Sequence, residues 1–126
     1  MVSKKDREHL LKEKYRNKKS IFFYFDMFRL YRNEPLAYVI GTIPFLDCTI
    51  DLSYKPLIPR TETEFWVERA ITEIQKQPRE NTSIAMLDLY AGSGCIGVAL
   101  LKHIPDATMV FGEKDPKLIG KIQKNI

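Results

Sequence analysis

A glycine-rich stretch carries the residues whose types and spacing could do chemistry. It reads Asp88-Leu89-Tyr90-Ala91-Gly92-Ser93-Gly94-Cys95-Ile96-Gly97 and lies between a predicted strand and a predicted helix. Glycine at 92 and 94 lets the backbone turn sharply and approach a ligand closely. The helix that follows offers unpaired backbone amides at its N-terminus, where a polar or anionic ligand can bind. This context favours a ligand site over a purely structural turn.

Two carboxylates narrow the kind of ligand. Glu113 lies at the end of the next predicted strand, 19 residues after Gly94. A carboxylate at that place can accept hydrogen bonds from both hydroxyls of a ribose, so the spacing predicts a cofactor that contains adenosine. Asp88 stands at the mouth of the first strand, four residues before Gly92. There it suits an ammonium group and would repel a pyrophosphate.

A dinucleotide site is the rival interpretation, because residues 92–97 also match Gly-x-Gly-x-x-Gly. The position of Asp88 argues against it. A capped helix also precedes the first strand, whereas a dinucleotide fingerprint usually begins close to the start of its domain. Because the glycine pattern itself matches, a fragment of a nicotinamide-dependent oxidoreductase stays open as the alternative.

The N-terminal region, residues 1–34, contains no Gly or Pro and is predicted to be helical. Ile21, Tyr24, Phe25 and Phe28 recur at the spacing of an amphipathic helix. We expect this stripe to pack as core against another element, with a peptide-docking surface as the alternative. Pro35 is expected to end the helix.

Residues 35–58 are predicted to form a β-hairpin or an extended linker. Its strands are Tyr38-Val39-Ile40 and Thr49-Ile50-Asp51-Leu52, joined through Gly41, Pro44 and Leu46-Asp47.

Residues 59–126 begin a helix–strand series that predicts a parallel sheet. Thr61-Glu62-Thr63-Glu64 fits a capping box, and the helix it opens is expected to close at Pro78 and Asn81. The run Ile84–Leu89 is nearly all apolar, as in a strand buried on both faces. Further elements are a helix at 96–103, a strand at 108–111 and a helix that Pro116 opens. Since two strands leave a sheet incomplete, we expect the chain to be the front part of a longer protein.

Composition excludes several classes of protein. The chain has 126 residues, 29% of them charged and 44% hydrophobic, which is ordinary for a globular protein. No apolar run approaches the roughly 20 residues of a membrane span, and no secretory signal is recognisable, so a cytoplasmic location is expected. Cys48 and Cys95 lie outside any metal-ligand spacing, which predicts reduced, structural thiols and no metal site.

The positive charge is concentrated at the N-terminus. Residues 1–20 carry eight basic and three acidic side chains, whereas residues 21–126 carry twelve basic and thirteen acidic side chains. This could favour an acidic partner or RNA, although a solvated helix face or a frayed terminus is the preferred interpretation. A non-catalytic module that binds a protein or RNA is therefore the third open function.

The stretch Asp88–Gly94 resembles the cofactor motif of class I S-adenosylmethionine-dependent methyltransferases. Two earlier stretches, 34–41 and Leu57-Ile58-Pro59-Arg60-Thr61-Glu62-Thr63-Glu64, resemble the protein-(glutamine-N5) methyltransferases of the HemK/PrmC family, which modify peptide chain release factors. The resemblance covers roughly residues 29–126. It implies an α/β fold: N-terminal helices and a β-hairpin linker, followed by the first part of a Rossmann-like methyltransferase sheet that is incomplete at 59–126.

The resemblance also implies the site. S-adenosylmethionine would bind along Tyr90-Ala91-Gly92-Ser93-Gly94 with Asp88, Glu113 would hold the ribose, and Arg60 would lie beside the pocket. The stretch from Glu113 to Asn125 matches the family's second-strand segment, including its asparagine. Thr61 replaces the family's usual proline, and the N-terminal helical region is shorter than the family's bundle. Asn-Pro-Pro-Tyr, the family's catalytic motif, does not occur in the sequence, so no catalytic residue is predicted and the chain is expected to be inactive alone. The implied partner is a release factor, not a membrane or a nucleic acid.

Overall fold

The computed structural model describes residues 2–77 and 83–126, which divide into two compact units, 1–42 and 43–126. The first unit contains three helices: α1 (Lys4–Glu13), α2 (Ile21–Tyr31) and α3 (Leu36–Ile40). The second contains β1 (Thr42–Phe45), which starts at the boundary, β2 (Cys48–Asp51), α4 (Thr61–Lys76), β3 (Ile84–Leu89), α5 (Cys95–His103), β4 (Ala107–Gly112) and α6 (Pro116–Asn125). The predicted three-part division of the chain into domains stays a prediction.

The core of the first unit forms where the three helices meet. Its buried side chains are Leu10, Phe23, Met27, Leu30 and Val39. Buried Asp26 lies on the same face of α2 and is paired with three polar side chains, so the core holds one carboxylate without leaving it unsatisfied.

The expectation that the aromatic stripe of α2 packs as core is wrong. Ile21, Tyr24, Phe25 and Phe28 are each 59–66% exposed, and the opposite face of the helix is buried. Apolar residues surround almost the whole of α2, so their periodicity does not select the face that packs. Asp26 is buried on that opposite face, where its partners are Lys14 and Tyr15, which follow the end of α1, and Arg29 of α2.

Two phenylalanines two residues apart on α2 test this orientation. We expect Phe25→Leu to change the free energy of unfolding by less than about 0.5 kcal/mol, because Phe25 is exposed. Phe23→Leu should cost about 1 kcal/mol, since Phe23 is fully buried. Urea unfolding followed by circular dichroism measures both variants. A larger loss from Phe25→Leu than from Phe23→Leu would mean that the stripe is covered.

Tyr38-Val39-Ile40, predicted as a strand, belongs instead to the short helix α3. Val39 is fully buried in the helical core, so tertiary packing overrides the strand preference of these side chains. Helix α2 already ends at Tyr31, and Pro35 is the N-cap of α3 rather than the residue that ends α2. Gly41, with φ +94°, ends α3.

The predicted hairpin exists, but its first strand is β1 rather than 38–40. Leu46 and Asp47 connect β1 to β2, and both have positive φ (42° and 62°), as a two-residue hairpin turn requires. The parallel sheet is confirmed: β3 pairs with β4 from Ile84 opposite Ala107 to Leu89 opposite Gly112. Helix α5 packs against both strands.

Two further expectations about this unit are wrong. Thr61 does not form a capping box: Arg60 is the N-cap of α4, no side chain caps the helix, and Glu64 instead accepts a hydrogen bond from the Leu46 amide at 2.8 Å. Strand β3 is not buried on both faces, since Leu87 and Leu89 are 60–61% exposed. The reason is that α5 covers one face of β3, and Leu87 and Leu89 lie on the other face. The predicted helix end at Pro78 and Asn81 lies outside the described residues.

Over residues 2–77 and 83–126, the structure contains no helix long and apolar enough to cross a membrane. The same ranges contain no cluster of three His, Cys, Asp or Glu side chains that could hold a metal ion. Cys48 and Cys95 are both free thiols and both buried.

Candidate functional site

The glycine-rich loop joins β3 to α5 in a tight turn. Three of its residues have left-handed backbone: Tyr90, Gly92 and Gly94, with φ of 58°, 57° and 75°. The Gly94 amide donates to the Ala91 carbonyl at 2.7 Å, and the Ala91 amide donates to the Gly112 carbonyl at 3.1 Å. Tyr90 is not a glycine, is 89% exposed and adopts a conformation that L residues seldom take, a feature that is common at binding sites.

Gly94 and Gly97 are required because other elements approach them closely. A Cβ atom at Gly94 would lie 2.9 Å from both Cγ1 and Cγ2 of Ile122, a fully buried side chain of α6. A Cβ atom at Gly97 would overlap the ring of Phe111 on β4. The loop and the first turn of α5 are therefore packed directly against α6 and the sheet.

Glu113 lies beneath the loop and holds it. Its Oε2 accepts a hydrogen bond from the Gly92 amide at 2.8 Å, and its Oε1 accepts one from the Asp115 amide at 2.9 Å. The bond from the Asp115 amide, followed by that from the Gly92 amide, holds the pKa of Glu113 below its usual range. The carboxylate is therefore ionised at neutral pH and is oriented towards the loop.

Asp88 is half-buried at the end of β3. Its Oδ2 accepts a hydrogen bond from the Gly97 amide at 3.0 Å, which links the strand to the first turn of α5. Burial raises the pKa of Asp88, and the Gly97 amide opposes that effect only in part. A nearby cation would favour the ionised form of this carboxylate.

A cleft of about 180 Å³ opens beside the loop. Five of the predicted site residues line it: Arg60, Tyr90, Ala91, Gly92 and Ser93. The other three, Asp88, Gly94 and Glu113, do not line the cleft; Asp88 and Glu113 bond the backbone at its edge and Gly94 is the N-cap of α5. The structure thus brings the predicted residues to one region, and their binding roles stay predictions.

The site prediction missed the apolar part of the cleft. Leu57, Ile58 and Pro59 line it on the side of Arg60, together with Thr63, and Cys95 and Ile96 contribute from the start of α5. The signal is the apolar stretch before Arg60, which is also part of the segment that resembles the family. Asn125 was also missed as a contact, although its amide bonds the Ser93 carbonyl at 3.0 Å.

Comparison with curated proteins decides the family. No family model matches the chain. A release factor glutamine methyltransferase from Geobacter sulfurreducens is 42% identical over 96 residues, which is 75% of this chain and 31% of that protein. The Escherichia coli protein of the same name is 33% identical over 92 residues, 73% of this chain and 31% of the relative.

The chain belongs to the release factor glutamine methyltransferase (HemK/PrmC) family. This confirms the resemblance found in the sequence. A probable mitochondrial N(5)-glutamine methyltransferase of Schizosaccharomyces pombe is also similar, at 41% identity over 73 residues, 58% of this chain and 23% of that protein. The chain spans about a third of the length of the first bacterial relatives that it matches.

Proposed function

We propose that this chain forms the cofactor-binding part of an S-adenosylmethionine-dependent methyltransferase, whose substrate is a glutamine side chain of a peptide chain release factor. Residues 59–126 would be the first part of its Rossmann-like sheet. The observation that carries the proposal is the cleft at the carboxyl ends of two parallel strands, formed by the loop and the stretch before α4. Membership of the glutamine methyltransferase family supports it.

The residues that line the cleft, and the two carboxylates at its edge, fit this cofactor. Leu57, Ile58 and Pro59 offer an apolar wall for an adenine ring. Glu113 already accepts two backbone amides, yet a carboxylate has about four lone-pair sites, so it can also accept the ribose hydroxyls. The Asp88 carboxylate would pair with the ammonium group of the cofactor's methionine part. The cleft is smaller than the roughly 300–1,000 Å³ of typical small-molecule sites, so the described residues would enclose part of the cofactor.

S-adenosylmethionine, when bound, supplies a methyl group already activated by its sulfonium sulfur. The task of this chain is then to bind and orient, and it needs no covalent nucleophile. The loop, held by its hydrogen bonds to Glu113 and Gly112, would fix the position of the adenosine together with Glu113. An amide nitrogen is a weak nucleophile, so fixed oxygens must hold its N–H bonds. The family assigns that role to Asn-Pro-Pro-Tyr, which this sequence lacks, so we expect no methyl transfer by these 126 residues.

Two exposed tyrosines with left-handed backbone give a matched test of the site. Tyr90 lines the cleft, whereas Tyr54 (φ 63°) lies outside it. We expect S-adenosylmethionine to bind the chain in isothermal titration calorimetry. Tyr90→Ala should raise the Kd about tenfold through loss of a ring contact, and Tyr54→Ala should change it less than about twofold.

Other outcomes of the titration would contradict the proposal. Binding of NAD without binding of S-adenosylmethionine would favour the oxidoreductase alternative. No binding of either cofactor, combined with salt-dependent RNA binding, would favour a binding module. An equal loss of affinity in both tyrosine variants would place the cofactor away from the cleft.

The substrate and location follow from the same proposal. We expect a release factor, rather than a nucleic acid or a membrane, to be the partner of the whole protein, and the cytoplasm to be where it acts. Transfer of a labelled methyl group to release factor glutamine by the full-length protein tests the substrate. Labelling of a glutamine-free release factor variant would contradict it.

A further inference from the structure

Asn125, in the last turn of α6, is hydrogen-bonded to two separate segments. Its Nδ2 donates to the Ser93 carbonyl in the glycine-rich loop at 3.0 Å, and its Oδ1 accepts from the Asp51 amide at the end of β2 at 3.0 Å. Ser93 is buried, and Asn125 is half-buried between the two partners. One amide side chain thus uses its donor on the loop and its acceptor on the hairpin.

The same turn of α6 supports the loop by packing. Ile122 is 1% exposed, and its Cγ1 and Cγ2 atoms lie 2.9 Å from where a Cβ atom at Gly94 would be. Lys124 forms an ion pair with Asp51 at 2.8 Å, which attaches the helix to the hairpin without contacting the loop. Helix α6 therefore contacts the loop through Ile122 and Asn125, and contacts β2 through Asn125 and Lys124.

We propose that Asn125 is a positioning residue that holds the glycine-rich loop in its binding conformation by fixing the Ser93 carbonyl and linking it to β2. The side chain does not itself line the cleft beside the loop. Its importance for cofactor affinity rests on the proposed function, whereas its effect on the loop does not. The hydrogen bond from Asn125 to the loop can be removed while the acceptor for the hairpin amide is kept.

Three variants separate these contacts. Asn125→Ala removes both hydrogen bonds. Asn125→Asp keeps an acceptor for the Asp51 amide and loses the donor to Ser93. Lys124→Ala is the matched control, because it removes a contact from the same helix turn to the same hairpin residue and leaves the loop untouched.

Amide hydrogen exchange measured by NMR reports on the loop without any cofactor. The Gly94 amide is the reporter, since it closes the turn by bonding the Ala91 carbonyl. We expect its exchange to accelerate about tenfold in both Asn125 variants, the effect of one lost hydrogen bond, and less than about twofold in Lys124→Ala. The Asp51 amide should exchange faster in Asn125→Ala and keep its protection in Asn125→Asp.

Isothermal titration calorimetry with S-adenosylmethionine is the second measurement, and it gives the Kd of each variant. We expect the Kd to rise about tenfold in both Asn125 variants and to stay within about twofold in Lys124→Ala. Unchanged Gly94 exchange, or equal acceleration in all three variants, would overturn the proposal. Faster exchange with an unchanged Kd would overturn the link to affinity. If the unmodified chain binds no cofactor, the proposed function fails, and the exchange data still decide whether Asn125 positions the loop.

Discussion

Gly94→Ala is expected to destabilise the second unit by about 2–5 kcal/mol. Two costs combine. Alanine in a left-handed backbone conformation costs about 1–2 kcal/mol, and Gly94 has a φ of 75°. The new methyl group would also lie 2.9 Å from the Cγ atoms of buried Ile122, and overpacking of that kind costs about 1–3 kcal/mol. Urea unfolding measures the loss, and cofactor titration should show weaker binding because Gly94 supports the loop.

Gly120→Ala is the matched control for that variant. Gly120 lies in the exposed part of α6, and a Cβ atom there would meet nothing within 4 Å. Because glycine within a helix is less favourable than alanine, this substitution should stabilise the chain by about 0.5–1 kcal/mol. A loss for Gly94→Ala no larger than about 0.5 kcal/mol would show that α6 does not pack against the loop as described.

Asp26→Ala is expected to destabilise the helical unit by about 2–3 kcal/mol, the scale of lost hydrogen bonds to a charged group. The Asp26 side chain is 9% exposed. Lys14 Nζ lies 2.7 Å from its Oδ2, Tyr15 donates to that oxygen at 2.6 Å, and Arg29 donates to Oδ1 at 2.9 Å. Removing the carboxylate takes away these hydrogen bonds and leaves a gap beside Tyr15, whereas the Lys14 and Arg29 side chains, 34% and 38% exposed, can still be solvated by water. The measurement is thermal and urea unfolding of the variant.

The pH dependence of stability checks the same network. Burial raises the pKa of Asp26, but the hydrogen bonds from Lys14, Tyr15 and Arg29 outweigh it and leave the pKa below its usual range. A lowered pKa contributes stability that is complete above the unfolded value of about 3.9 and is lost as the pH falls through the folded value. We therefore expect Asp26→Ala to flatten the acid side of the stability profile.

An exposed ion pair provides the comparison. Lys4 and Glu8 lie 3.9 Å apart on α1, and both side chains are mostly exposed. Glu8→Ala should cost less than about 0.5 kcal/mol. Similar losses from Glu8→Ala and Asp26→Ala would mean that the Asp26 carboxylate is solvated rather than buried.

The glycine-rich loop could be predicted from sequence because its requirements are local. Positive φ at two positions and close approach of the backbone need glycine, whatever surrounds the loop. The parallel pairing of β3 and β4 was likewise predictable, since a helix of suitable length separates the two strands. Arg60 was predicted beside the pocket only because the stretch around it resembled the family, and the cleft includes it.

The exposed face of α2 could not be predicted, because the choice depends on distant partners. Helical spacing marks Ile21, Tyr24, Phe25 and Phe28 as one face but does not say that Asp26 will be buried instead. The same limit applies to 38–40, where Val39 is needed by the helical core. Glu64 bonds the turn of the hairpin, 18 residues earlier, and no local cap pattern reveals that alternative partner.

The pairing of β3 with β4 has a consequence for evolution of the site. Leu89 is opposite Gly112, so the residues that follow the two strands, Tyr90 and Glu113, emerge side by side. A shift of one residue along β4 would turn Phe111 away from Gly97 and carry Glu113 out of reach of the Gly92 amide. An insertion or deletion within either strand would therefore disrupt the geometry of the cleft, even though all the residues that line the cleft would still be present. We expect these strands to tolerate substitutions far better than changes of length.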